Sequence, residues 1–216
     1  SGVNLEYDLR LLSVDQIEKI EIMKGASSTL YGTGAATGVI NITLKKSAVK
    51  EISGIAYSSI GTQNSSETSK TSAQDFNQGF SVNGTVDKIS YMTSLNSTET
   101  KGMSEAAGEN FEEDTFSRVN VLQKIGFKVN NQLSFEFFGN YDRVKNAFDN
   151  AFNGTITNSD DLNNNSLSEQ FRIGFLPKYK YRKGEFAINA GASTIERTVK
   201  MTNSWTNAID TFNYSG

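Results

Sequence analysis

The side chains of this chain that could do chemistry are carboxylates, hydroxyls and backbone-exposing glycines, because its 216 residues include no His and no Cys. Without imidazole or thiolate there is no activated Ser or Cys nucleophile and no soft metal site. No motif fixes a pair of carboxylates for acid–base work, so an enzyme is not expected. Two acidic clusters remain. Glu109, Glu112, Glu113 and Asp114 form one, and Asp149, Asp160 and Asp161 the next, with Asn residues interspersed. Hard oxygen donors of this kind suit Ca²⁺, with Glu112, Glu113, Asp114, Asp149, Asp160 and Asp161 as the candidate ligands. Their spacing matches no defined calcium loop, and a solvated acidic surface is the preferred reading. No other cofactor is called for. Gly32-Thr33-Gly34 has the start of a phosphate-binding glycine pattern, but a β-branched strand at Val39 follows where that chemistry needs a helix, and Gly38 falls at the wrong spacing.

The elements that must position these residues are mostly strands. The chain carries 14 Phe and 8 Tyr against one Pro, Pro177, with a remainder rich in Asn, Ser, Thr and Gly. With 21 basic and 24 acidic residues and no Lys/Arg block, nothing suggests a nucleic-acid partner. No apolar run reaches the roughly 20 residues of a membrane-spanning helix.

From about residue 50 onward the residues alternate with period two. Leu133, Phe135, Phe137 and Tyr141 oppose Ser134, Glu136 and Asn140; Phe171, Ile173, Phe175 and Tyr179 oppose Arg172, Gly174, Lys178 and Lys180. Ile89, Tyr91 and Leu95 oppose Ser90, Ser94 and Asn96, and the stretch from Phe186 to Ser193 repeats the split. Each strand therefore has one apolar and one wet face. Short turns at Asp87-Lys88, Asn130-Asn131 and Arg182-Lys183-Gly184 interleave with long polar connections at 61–75, 99–116, 143–168 and from 200 onward. A soluble β-sandwich shares the alternation but gives no reason for loop length to depend on which end of the sheet it occupies. A transmembrane barrel requires that sidedness, with short periplasmic turns and long extracellular loops. Tyr141, Tyr179 and Tyr181 fall where an interfacial aromatic girdle belongs.

The first segment is different. Ser13-Val14-Asp15-Gln16 has the form of a capping box that would start a short helical turn. A strand is expected at Ile20-Glu21-Ile22, stopped by Gly25. A second short turn capped by Ser27 or Ser28 would end at Gly32, and another strand is expected from Val39 to Leu44. The run Ile17, Glu18, Lys19, Ile20, Glu21, Ile22, Met23, Lys24, Gly25, then Leu30, Tyr31, Gly32, Gly34, and Gly38, Val39, Ile40, Asn41, Ile42 resembles the C-terminal plug signature of TonB-dependent outer-membrane receptors. It departs at Ala26, where the family usually has Pro, and at Thr37, where a second Gly is common. Around Gly139-Asn140-Tyr141-Asp142-Arg143 the chain is also loosely similar to the vitamin B12 and siderophore receptor branch, without implying a substrate.

The resemblance implies an antiparallel transmembrane β-barrel of about 22 strands when complete, with about seven in this chain, and a small α+β plug. Residues 1–47 would be the end of the plug and 48–216 the beginning of the barrel, so the chain is expected to start inside the plug and stop before closure. Leu30, Ile40 and Ile42 would fill the plug core. Arg118, Lys124, Lys128, Arg172, Lys178 and Lys180 would face the plug from the wall, where Glu18 and Glu21 are candidates to pair with them at about 0–1 kcal/mol each. The implied activity is uptake of a scarce ligand, such as a ferric siderophore, haem, a corrinoid or a glycan, across the bacterial outer membrane. Energy would come from the TonB–ExbB–ExbD complex through a segment upstream of this sequence. Outer-membrane lipids, a small extracellular ligand and a surface lipoprotein are the implied partners. A non-transporting receptor or structural component with the same fold is the alternative.

Overall fold

The computed structural model describes residues 17–25, 38–45, 51–62, 73–102, 114–149, 163–203, 205–206 and 208–216. The two helical turns expected from Ser13 and from Ser27 or Ser28, and Leu30, Tyr31, Gly32 and Gly34 of the plug signature, lie outside these residues.

The described part of the first segment is a hairpin of β1 (Ile17–Lys24) and β2 (Gly38–Leu44), paired antiparallel with Ile20 opposite Ile42 and Ile22 opposite Ile40. Gly25 ends β1 with φ +103, a conformation that side-chain-bearing residues rarely adopt. Gly38 begins β2 against the Met23 carbonyl, which a Cβ would approach to 2.8 Å. Ile20, Ile22 and Ile40 are each more than half exposed, so the core expected around Ile40 and Ile42 is not built by the described residues.

All the remaining strands form one antiparallel meander: β3 (Ser53–Gly61), β4 (Asp75–Val86), β5 (Ile89–Thr100), β6 (Phe116–Lys128), β7 (Leu133–Ala147), β8 (Asn165–Tyr181), β9 (Gly184–Ala187), β10 (Ala190–Thr202) and β11 (Ile209–Ser215). From β4 to β8 the strands run 12 to 17 residues, more than the roughly 9–11 that a tilted strand needs to cross a bilayer. The turn after β4 is two residues long, with Asp87 at φ 51; a short polar side chain tolerates this left-handed geometry, which matches the twist of the flanking strands.

The stretch Phe186–Ser193, which reads as one strand, is divided between β9 and β10, yet its register against β8 is continuous, with Lys178 opposite Ala187 and Phe175 opposite Ala190. The break sits at Pro177. Ile188 N–H donates to the Pro177 carbonyl at 3.1 Å, and the return bond is missing because proline has no N–H to give. Counting β9 and β10 as one, the wall has eight strand positions rather than about seven. The additional one, β11, lies in the region expected to be a loop from residue 200 onward.

The wall is inverted relative to a soluble sheet. On one face Phe80, Leu95, Ile125, Phe137, Phe171 and Ile173 are each about half exposed, and Phe137 and Phe175 stack at 4.5 Å. On the other face Ser94, Asn96, Asn120, Asn140, Asp142 and Ser168 are buried, alongside only three buried apolar side chains among the described residues, Met92, Leu122 and Val144. An exposed apolar band opposed to a packed polar face is what a lipid-facing exterior and a wet interior require. Tyr179 and Tyr181 stand exposed at the short-turn end of that band, and Tyr141 stands toward the opposite end, its hydroxyl donating to Glu169 at 2.6 Å.

Two aromatic rings on the polar face lie over glycines of the neighbouring strand. Tyr57 covers Gly79, and Phe138 covers Gly174, where an added Cβ would stand 2.1 Å from the ring. A ring laid across a bare backbone pins the register of two strands. Gly174→Val should therefore destabilise the folded protein by about 1–3 kcal/mol, the usual cost of overpacking. Combining it with Phe138→Ala should recover part of that loss, a coupling measurable by urea unfolding in liposomes.

Candidate functional site

The buried face of β5 to β8 brings its polar side chains into register. Asn96, Asn120, Asp142 and Gln170 occupy one cross-strand row, and Ser94, Leu122, Asn140 and Arg172 the next. The Asp142 carboxylate is wholly buried. It accepts from Asn120 Nδ2 at 2.7 Å and Asn140 Nδ2 at 3.3 Å on one oxygen, and from Arg172 Nη2 at 2.9 Å on the other. Arg172 also donates to Asn140 Oδ1, closing a ring of amide, carboxylate and guanidinium across three strands. Such a network tolerates burial only because each charge is matched.

The sequence pattern identified Arg172 as wall-facing and overlooked its acceptors. Their signal is the phase of Asn140 and Asp142, which alternate against Phe137 and Tyr141. Asp142→Ala leaves the half-buried Arg172 guanidinium without its counter-charge and should cost about 1–3 kcal/mol. Asp142→Ala combined with Arg172→Met should be less damaging than Asp142→Ala alone, as judged by the urea midpoint of the refolded protein.

The hairpin meets this face at the short-turn end. Lys124, on β6 and nearly buried, donates from Nζ to the Lys45 carbonyl at 3.2 Å just beyond β2, and its ammonium stands 3.9 Å from Glu136. A backbone carbonyl thus makes the contact expected of an acidic side chain. Glu21 is engaged within the hairpin instead, accepting from Lys19 and from Asn41 Nδ2 at 3.1 Å. The Lys19 ammonium holds the Glu21 carboxyl below its ordinary range, so the stabilisation it adds is present at neutral pH and fades in acid as the carboxyl protonates. On the way into the wall the chain passes over Gly84, where a Cβ would clash with the Glu51 carbonyl, and Tyr91 donates its hydroxyl to that carbonyl at 2.8 Å.

Between the end of β2 and the short turns lies a cavity of about 800 Å³. Ile42, Thr43 and Leu44 border it from the hairpin side. Of the wall-facing cations expected, Lys124, Lys128, Lys178 and Lys180 line it, while Arg118 and Arg172 lie farther up the wall, Arg118 donating to Thr98 Oγ1 at 3.3 Å.

The candidate calcium ligands divide. Glu112, Glu113, Asp160 and Asp161 lie outside the described residues; Asp114 and Asp149 sit at the long-loop end of the wall, beyond the Phe116–Asn146 pair. The described residues contain no group of three potential ligands.

Comparison with known proteins bears on both parts of this arrangement. The family model described as TonB-dependent receptor plug domain matches residues 2–39. No curated protein matches the chain. Among solved structures, the ferric enterobactin receptor PfeA of Pseudomonas aeruginosa, as its R480A mutant in complex with enterobactin, superposes with a TM-score of 0.66 at 16% identity, covering 96% of this chain and 33% of the receptor. A complex of that receptor with BCV-L6 gives 0.65 at 16% identity over 95% and 33%, and its G324V mutant 0.54 at 16% identity over 97% and 36%. The chain spans about a third of the length of these receptors. At this identity the likeness shows the fold.

Proposed function

We propose that this chain carries the plug segment and part of the barrel wall of a TonB-dependent receptor, and that it serves in the bacterial outer membrane to take up a scarce ligand with energy delivered through TonB. The observation that carries the reading is the inverted wall itself, apolar outward and polar inward, with a plug-type hairpin bonded to the polar side through Lys124 and Lys45. A barrel filled by a plug is closed at rest, so passage needs the plug to be moved or remodelled. Among the described residues the hairpin is tied to the wall by the charge-assisted hydrogen bond from Lys124 to the Lys45 carbonyl, a contact that water can replace.

Ferric siderophores are the first ligand class to test, since the solved neighbours are ferric enterobactin receptors; haem, corrinoids and glycans follow. The intact receptor, expressed in cells lacking their own siderophore receptors, should restore accumulation of radiolabelled iron from one such chelate. Accumulation should stop when tonB is deleted or the proton-motive force is collapsed, while binding at the cell surface persists. Uptake that continues without proton-motive force would overturn energised transport, and surface binding with no uptake for any ligand class would favour a non-transporting receptor.

A further inference from the structure

We propose that the outward face of β6 and β7 binds one phosphorylated, acylated lipid of the outer leaflet, with an acyl chain in a pit over Gly139 and the phosphate at Arg143 and Lys145. Along β7 the outward residues follow in the order Leu133, Phe135, Phe137, Gly139, Tyr141, Arg143 and Lys145, about 6.7 Å apart. Apolar side chains give way to cations just past Tyr141, toward the long-loop end. Hydrocarbon ends there and headgroups begin.

The pit exists because residue 139 has no side chain. Glycine inside a strand costs about 0.5–1 kcal/mol against alanine. Elsewhere in the wall the neighbours account for it: Gly79 and Gly174 lie under rings, and Gly126 under the Ser90 hydroxyl. Gly139 has no positive φ, and a Cβ there would meet no atom within 4 Å. A bare backbone that neither conformation nor packing requires marks the close approach of something from outside the chain. Phe137 and Tyr141 border the pit along the strand, and Gln123 and Ile173 border it across, on the face opposite Lys124 and the hairpin. The Gln123 amide is engaged at both ends, accepting from Thr93 Oγ1 at 2.7 Å and donating to the Lys124 carbonyl at 3.1 Å. It borders the pit without needing a hydrogen bond from the guest, which suits a hydrocarbon chain.

Beyond Tyr141 the outward charges separate by strand. Arg143 and Lys145 stand on β7, opposite Val119 and Ser117 of β6. The carboxylates Glu169 and Glu196 face each other across β8 and β10, Lys200 stands farther along β10, and Glu99 of β5 lies opposite Ser117. Glu169 accepts from the Tyr141 hydroxyl at 2.6 Å and stands 3.6 Å from Arg143 Nε, which orients the guanidinium while about half of that side chain stays exposed. The phosphate therefore belongs on the β6 side of β7, beside Ser117 and away from the carboxylate pair. Gly139 and Arg143 are four residues apart, about 14 Å along the strand, a distance an acyl chain covers within one half of a core about 30 Å thick. A charge at headgroup level and a pit one chain-length inside it match the two ends of one lipid.

This inference rests on the outer-membrane reading for which face meets lipid and which end lies outside, and it needs no transport to be tested. The probes are dipalmitoylphosphatidic acid and dipalmitoylglycerol, which lacks the phosphate, each added to the intact protein in neutral detergent, with bound lipid counted by native mass spectrometry. Wild-type protein should retain one phosphatidic acid and no dipalmitoylglycerol. Gly139→Leu, which fills the pit, and Arg143→Gln with Lys145→Gln should each weaken binding about tenfold or more, the scale of one lost contact. Arg143→Lys with Lys145→Arg should retain it, and Lys200→Gln should leave it unchanged. Inorganic phosphate at equal concentration should not displace the lipid. Heat-modifiable gel mobility verifies that each variant is folded.

Wild-type affinity in either Gly139→Leu or the double Gln variant, equal binding of dipalmitoylglycerol, or displacement by inorganic phosphate overturns the proposal. So does a shift from dimer to monomer in Gly139→Leu with the lipid count unaltered, which would give the pit to a second copy of the chain. Flotation with dioleoylphosphatidylcholine vesicles separates the site from the outer-membrane reading. Protein that does not float removes that reading and the site with it. Protein that floats yet binds phosphatidic acid equally in every variant removes the lipid site alone.

Discussion

The constraint on which this structure depends is that hydrocarbon offers no hydrogen-bond partners to a peptide group. Every N–H and C=O of a lipid-crossing segment must find its partner in another segment of the protein. A meander of long antiparallel strands meets the demand by pairing each strand along its length with the next, and β3 through β11 do this with the register intact. Once the backbone is committed to a sheet, side chains alternate between two solvents. The rest follows: aromatic and aliphatic residues on the lipid side, amides and charges on the other, and connections whose length depends on the end they join.

That arrangement reverses the usual meaning of a core. The most buried part of the wall is a net of amide, carboxylate and guanidinium around Asp142, and the large apolar side chains lie on the outside. Stability on the polar side comes from matched hydrogen bonds and from rings laid on glycine, as at Tyr57 over Gly79, with little contribution from hydrophobic packing. Such a surface can be wetted without losing its structure. The described hydrogen bond of the hairpin to it, from Lys124 to the Lys45 carbonyl, is one that water can replace.

Much of the wall was legible in the sequence because period-two alternation is a direct imprint of the two solvents. The wall-facing lysines could be assigned by parity alone, and the short turns by their Asn, Asp, Lys and Gly residues. β11 escaped because its phase carries no such imprint: Asp210, Phe212 and Tyr214 share one side while Ile209, Thr211 and Asn213 share the other, so neither face reads as apolar. The Asp142 network escaped for a different reason. Alternation tells which side a residue faces but not which neighbours it meets, and those are fixed by register between strands, in the case of Arg172 across a long connection. The contact of Lys124 with Lys45 was unreadable on similar grounds, since a backbone carbonyl leaves no trace in residue type. The glycines of the plug signature at 32 and 34 and the acidic residues Glu109, Glu112, Glu113, Asp160 and Asp161 fall outside the described residues, and their roles rest on resemblance and residue chemistry alone.

Pro177 sets a limit on how far the wall acts as one cooperative unit. Its missing N–H removes a rung between β8 and the strand beside it, so the four-residue segment Gly184–Ala187 is joined to the rest through the turn and its own few bonds. Opening that begins at the short-turn end can release this corner without breaking the ladder beyond Ala190. Fluctuations at the short-turn end are thereby less tightly coupled to the longer paired strands beyond it.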